Sequence, residues 1–533
     1  MNEQNIQSAD RQKLEEFINE TEEVTEDLNR LIEQMHRVGA PSGQPFAFTG
    51  SVRTTEQLLR RQFAKCDDIK YRRILSGGRE ILLVFVAGMT DADLVQSSII
   101  EPLLKLAAEK FPPDVKTLSE TVLTANSLVA ISEANEALQG VLSGKTLVAI
   151  DGLPEVLLVE TAKFVKRNIE SSENETVIRG PRDAFTETLM DNLVLLRRRA
   201  KEPDLKVNIF KLGERTQTAV AVVYIDGLVK IGLVDEIQKR LNQIKIDKIL
   251  LSATVEELID THPWTPFPKI QATERPETVT AALYDGRAAI LVDNSPYALI
   301  VPTTLAALLQ STEDYTTPAT VVSLIRITRF FSAFVAIFLP SLYVSVVSYH
   351  PGMLPTTLAV QIAELRARTP FPSFLEAILM EVLLEVFQEA ITRLPTKIAG
   401  AAGVVGALVI GTTVVQAGLV NPLLVVVVAT TAIASYSMPS YNFAMALRFF
   451  RVPVLVVGTI FGLFGVMLAF ITLVIHTCSL RTFGESYAGG LFNITLLADW
   501  KDTFVRLPRK YLRSRPKEFG AQERGTGGSH DQT

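Results

Sequence analysis

Residues 398–447 contain no Asp, Glu, Lys or Arg. A water-facing surface carries charge at about one residue in four, so no soluble fold accommodates such a run on its outside. A wider window keeps the pattern, with only 11 of 151 residues charged between Phe330 and Leu480. The other 382 residues carry 100 charged ones, the density of ordinary soluble protein. The chain is therefore expected to join a soluble region of about 320 residues, room for two domains, to a membrane region of about 150.

Phe330–Tyr349 is free of charge and follows Arg326 and Arg329. Such a helix of about 20 residues, rising 1.5 Å per residue, crosses a hydrocarbon core of about 30 Å. Asn421 and Pro422 divide the uncharged run into spans near 398–419 and 423–445, and 452–480 supplies a fourth. Lys501, Arg506, Arg509, Lys510, Arg513, Arg515 and Lys517 follow the last span, which predicts a cytoplasmic C-terminal tail. Four crossings then place the soluble N-terminal region in the cytoplasm too. The charged, mostly acidic first forty residues agree, since they hold no secretory signal.

Residues 371–395 are apolar overall but carry Glu376, Glu381, Glu385 and Glu389. On a helical wheel Glu381, Glu385, Gln388, Glu389 and Thr392 share about 100° of arc, opposite Leu379, Leu383, Phe387, Ile391 and Leu394. This acidic amphipathic helix either lies at the interface with its acids in water, or crosses and turns them to an aqueous path. Repeated around an oligomer, such acids form rings that favour cations. Pairing with Arg393 or Lys397 is the purely structural alternative. A fifth crossing would put the two ends on opposite sides, so four are preferred. In the next span Gly403, Ala407 and Gly411 are spaced four apart, a face that lets helices approach closely. With Thr412, Thr413 and Gln416 beyond it, the same lack of bulk also suits a helix around a narrow pore.

The soluble region opens with a charged amphipathic helix over 11–37 and a loop over 39–52. An internal repeat follows. Gly88, within ILLVFVAGM, matches Gly227 at an offset of 139, and Gly144, Asp151 and Pro154 match Gly286, Asp293 and Pro296 at 142. Two matched segments in the same order predict one α/β unit used twice. Each Val- and Ile-rich run ends at Asp-Gly, Asp-Asn or Gly, which is turn chemistry before it is a metal or phosphate site. No phosphate-binding GxGxxG or GxxxxGK[ST] follows these runs. Residues 178–206 form a Gly-Pro turn and an amphipathic helix whose end carries Arg197, Arg198 and Arg199, in keeping with its dipole. A solvated end or an inter-subunit salt bridge is the default there, ahead of an anion site.

A net charge of −5 argues against a nucleic-acid binder. Cys66 and Cys478 are too distant for a disulfide framework, and the five histidines show no metal-ligand spacing. No catalytic constellation, metal or cofactor is expected. The predicted architecture is an N-terminal helix and loop (1–52), two related α/β subdomains (53–175 and 176–318), an all-α polytopic membrane domain (319–482), and a basic tail with a disordered end (483–533).

IRGPRDAF, LLRRR, PFPKIQATERPETV, DNSPYALIVPTTL and PFPSFLEAILMEVLLEVFQEAITRLPTKI, in this order and spacing, resemble the A subunit of the GerA family of nutrient germinant receptors of endospore-forming bacteria. The resemblance covers roughly residues 75–480. It departs at the acidic N-terminal helix and after Arg481, where TFGESYAGGLFNITLLADW replaces an expected proline-rich segment. It implies a receptor of A, B and C subunits in the spore inner membrane that detects amino acids, sugars or nucleosides. Detection releases monovalent cations and then calcium–dipicolinate. It further implies that the transporter-like B subunit binds germinant, while the A subunit self-associates and forms the ion path. The expectation is a non-enzymatic subunit with Glu376, Glu381, Glu385 and Glu389 along a cation path and Gly403, Ala407 and Gly411 packing its helices. A transporter-like germinant-binding protein and a non-conducting scaffold are the alternatives.

Overall fold

The computed structural model describes residues 48–106, 111–125, 127–163, 175, 180–492, 500–511, 515–522 and 525. The helix expected over 11–37 lies outside the described residues, as does nearly all of the end expected to be disordered. The described chain forms two compact units. The first runs to residue 163 apart from 62–69 and 87–89; the second holds those two segments and everything after.

The repeat is realised strand by strand. The first repeat comprises α1 (Val52–Gln62), β1 (Ile69–Ser76), β2 (Arg79–Val86), β3 (Leu128–Ile131), α2 (Ala134–Leu142), β4 (Thr146–Ile150) and β5 (Val156–Val159). The second repeats them as α3 (Leu189–Arg199), β6 (Leu205–Leu212), β7 (Thr218–Ile225), β8 (Gln271–Thr273), α6 (Pro276–Tyr284), β9 (Ala288–Val292) and β10 (Ala298–Val301), with α4 (Leu233–Gln243) and α5 (Ser252–Ile259) before β8 where the first has helical segments within 92–104 and 115–121 before β3. The sheet orders are β1-β2-β4-β5-β3 and β6-β7-β9-β10-β8, the same path through five strands.

The turns explain the repeated residues. Gly88 and Gly227 have φ of 81° and 79°, and Gly144 and Gly286 have 93° and 85°, a region closed to most side chains. A Cβ on Gly286 would also lie 2.8 Å from the Leu228 carbonyl oxygen. Asp151 N–H donates to Glu80 O, and Asp293 N–H to the equivalent Ala219 O, both at 2.9 Å. Asp151 Oδ1 accepts from Val52 N–H at 3.3 Å and Asp293 Oδ1 from Leu189 N–H at 3.0 Å. Each aspartate thus caps the first helix of its own repeat, satisfying a donor that the helix leaves unpaired.

The second unit continues into helices. By length and composition Ala319–Tyr349 (α7) and Tyr441–Ser479 (α11) are apolar enough to cross a membrane, and Pro422–Tyr436 (α10) is a shorter apolar helix. Ser373–Arg393 (α8) and Thr396–Leu408 (α9) lie between them, α9 continuing through a π turn at Val409–Thr413 to Gln416. The span expected over 423–445 stops at Tyr436 and restarts at Tyr441. Pro439 breaks it, and the Ser440 hydroxyl caps the new helix by accepting from Phe443 N–H.

The single span expected over 452–480 is corrected. Gly462 has φ 63° and ψ −147° inside α11, and the Phe450 and His476 rings stand 6.4 Å apart. A straight helix would separate residues 26 apart in sequence by about 39 Å. A Cβ on Gly465 would fall 2.5 Å from Val457 O, so the second arm folds back on the first. α11 is a helical hairpin with arms 441–461 and 463–479, turned at a backbone conformation that glycine alone adopts readily.

Candidate functional site

α7 and the first arm of α11 run parallel. Ser341 Oγ donates to Val454 O at 2.9 Å and Ser345 Oγ to Gly458 O at 3.0 Å, a constant sequence offset. A Cβ on Gly458 would sit 2.0 Å from Ser341 Oγ, so the small residue permits the approach. Phe338 packs edge-on against Phe470 of the returning arm at 5.6 Å.

α8 packs into this bundle through the side that carries Glu376, Glu381 and Gln388. Ser373, Glu376, Ala377, Met380, Glu381 and Gln388 are buried, while Leu375, Val382 and Val386 are exposed. Glu381 Oε2 accepts from Arg451 Nη1 at 2.7 Å, and the same buried guanidinium donates to Ala336 O at 2.9 Å and Ser435 Oγ at 2.7 Å. One arginine therefore joins α7, α8, α10 and α11. Removing one member of such a buried pair costs about 3–5 kcal/mol, because the other charge is left unpaired.

The four glutamates do not act alike. Glu376 is buried at the far end of α8, accepting from Thr369 Oγ1 at 2.7 Å and from Asn421 N–H at 3.1 Å. It fastens the loops on either side of the α8–α9 pair. Glu385 is half-exposed, 3.6 Å from Arg448 Nη1. Glu389 is exposed and pairs with Arg393 one turn on, which realises the structural alternative. Sequence reasoning missed Arg448 and Arg451. The signal was available, since they are two of the 11 charges in the apolar third and intramembrane acids commonly pair with a cation.

The small-residue face is open within the chain. A Cβ on Gly403 would meet its nearest neighbour, Ile391 Cδ1, at 4.0 Å, and one on Gly411 would meet nothing within 4 Å. The side chain of Ala407 lies outside the described residues. Close packing within the chain falls instead on Gly406, whose Cβ would sit 1.8 Å from the Phe387 ring. The Gly406–Phe387 and Gly403–Ile391 neighbours make α8 and α9 an antiparallel pair.

The bundle is sewn to the second α/β sheet at its base. Phe267, in the loop before β8, stacks on Phe450 at 4.8 Å and lies 6.1 Å from Tyr487. Asp314 pairs with Arg326 and Arg329, both at 2.9 Å, and Asp502 of the tail binds Arg326 at 2.9 Å. The tail also packs, with Arg515 Nε on Tyr284 O at 2.7 Å and Phe519 under the Arg287 guanidinium at 4.8 Å. A cleft of about 290 Å³ between loop and hairpin is lined by Glu256, Asp260, Phe267, Lys269, Asn442 and Met445 among others. Burial, reinforced by the charge of Asp260, pushes Glu256 up to about 7.

Arg197 turns inward to a two-point contact with Asp68 at 2.7 and 2.9 Å, and Arg199 bonds Asp183. These guanidinia are held by carboxylates of the chain. Among the described residues no group of three or more His, Cys, Asp or Glu could hold a metal ion.

The family model described as Bacillus/Clostridium GerA spore germination protein matches residues 57–518. The match runs past Arg481, where the sequence alone suggested a departure. The chain is 37% identical to an "Uncharacterized membrane protein YfkQ" of Bacillus subtilis (strain 168), over 87% of this chain and 89% of the relative. It is 37% identical to "Spore germination protein A1" of the same organism, over 85% and 92%. A crystal structure of the N-terminal domain of the A subunit of the Bacillus megaterium spore germinant receptor GerK3 is 28% identical, with a TM-score of 0.39 over 48% of this chain and 97% of that one.

Proposed function

The chain belongs to the Bacillus/Clostridium GerA spore germination family, and from that premise we propose that it is the A-type membrane subunit of a nutrient germinant receptor and self-associates into a gated cation path. The supporting observation is the polarity of an unpartnered side. α8 is tied to the bundle through Glu376, Glu381 and Gln388, whereas Glu385, Glu389, Thr412, Thr413 and Gln416 are exposed beside the open Gly403 and Gly411. An ionisable group facing hydrocarbon costs about 3 kcal/mol or more, and a water path between copies removes that cost. Glu385 and Glu389 then line the path near its soluble-side mouth, and Glu381 holds the helix that presents them.

In this reading α7, α8, α9, α10 and the two arms of α11 cross alternately. An even number of crossings returns the tail to the side of the α/β subdomains, the cytoplasm, without leaving α8 at the interface. B and C subunits, lipid and monovalent cations are the partners. The seam at Phe267, Asp314 and Asp502 carries the coupling, which requires closed and open states to differ in affinity for germinant-loaded partners.

The test is cation current through the purified chain reconstituted in lipid vesicles. Current that falls several-fold in Glu385→Gln, with assembly unchanged, is expected. An assembled complex that passes no current is a scaffold, and germinant binding by the chain alone would favour the transporter-like alternative.

A further inference from the structure

Trp264 is 95% exposed, in the loop between α5 and β8. A bare indole is unusual on a soluble surface, because its large apolar ring is costly to hydrate. The loop is not loose. Its next residue, Thr265, places Oγ1 2.9 Å from Nε2 of His476, in the last turn of the returning arm of α11. Two residues later Phe267 stacks on Phe450 of the outgoing arm. Asn442 and Met445 complete the cleft that this loop lines. Trp264 is thus fixed at the height where the hairpin ends and the α/β sheet begins.

Other aromatic rings stand exposed at that height. Tyr441, beside Asn442, is 63% exposed, and Tyr436, closing α10, is 67% exposed. Trp and Tyr collect at membrane–water boundaries because an apolar ring with one polar edge matches that gradient. The exposed Leu251, just before α5, and Leu258 within it do not join this group. They lie on the side of α5 away from Glu256 and Asp260, which face the cleft.

We infer that Trp264 inserts at the lipid headgroup boundary beside Tyr436 and Tyr441, anchoring the second α/β subdomain to the bilayer surface. The inference rests on the reading that the helices span a membrane.

The chain has two tryptophans, so Trp500→Phe leaves Trp264 as the sole indole of the full chain. Reconstituted in vesicles, this variant should emit to the blue of indole in water. It should lose about half its emission when the lipids are brominated at the headgroup end of their acyl chains. A control carries Trp264→Phe, Trp500→Phe and Phe461→Trp, reporting from the tip of the hairpin. Quenching of the control without quenching of Trp264 overturns the anchor and leaves the membrane reading intact. Quenching of neither overturns both. Blue, unquenched emission that reddens on dilution in detergent would mean that a second copy of the chain covers Trp264, and overturns the lipid contact.

Discussion

The two α/β subdomains share their sheet path, their capping aspartates and their glycine turns, yet they differ in the basic residue at one equivalent position. In the first, Lys145 is about one-third exposed and pairs with Glu160 at 3.4 Å. In the second, the matching residue is Arg287, buried, donating to Pro302 O at 2.9 Å, Gln271 Oε1 at 2.9 Å and Thr303 Oγ1 at 3.2 Å. Burial pulls it down to about 10, so it stays charged near neutrality. Its ring partner is Phe519 of the tail, and Thr303 in turn receives Thr482, just beyond the last helix. A planar cation with five donors can hold a sheet edge, a tail and a helix end together, and an ammonium cannot. The repeat supplies the fold twice, and at this position the arginine of the second copy meets the tail, beside the Arg515 contact with Tyr284.

The largest effect should separate these two positions. Arg287→Leu strands buried carbonyl and hydroxyl acceptors and should cost about 1–3 kcal/mol. Lys145→Leu loses one partly exposed pair and should cost under about 1 kcal/mol. Hydrogen exchange of the full chain should show lost protection over residues 271–303 and 515–522 in the first variant alone. Equal losses would mean that the tail is held elsewhere.

A smaller effect should fall equally on both repeats. Asp151→Ala and Asp293→Ala each remove a carboxylate that caps a helix start, and each should destabilise its own repeat by about 1–2 kcal/mol. Protection of α1 and α3 amides reads the two losses separately. A loss confined to one repeat would show that the aspartates only look equivalent.

Much of this was legible beforehand. Offsets of 139 and 142 between glycines and aspartates located β2 against β7 and β4 against β9, because positive φ and turn capping restrict residue choice. The apolar region was legible as composition but not as path. A helical wheel records which residues share a face, and for α8 it grouped the glutamates without the arginines that meet them from another helix. Gly462 reads as one more small residue in an apolar run, and only its contacts across the turn reveal a hairpin. Small residues four apart suggested a packing face, whereas Gly406, outside that pattern, is the one under Phe387.

The smallest effect follows from another mismatch between the repeats, where Ser143 in the first stands opposite Asp285 in the second. Burial pushes Asp285 up to about 6, with Asp502 of the tail acting in the same direction and Arg287 and Arg515 opposing. Its unfolded value is near the usual 3.9. Between roughly pH 4 and 6 the folded carboxyl keeps a proton that the unfolded one has released, so stability here falls as pH rises and levels off above about 6. Half-buried and close to two arginines, the group should contribute on the order of 1 kcal/mol over that window. Protection of residues 515–522, corrected for intrinsic exchange, should decline from pH 4 to 6 in the native chain and stay level in Asp285→Asn. The strands around Ser143 should stay level in both. An unchanged decline in Asp285→Asn would assign the titration to another group beside the tail and remove this distinction between the two copies.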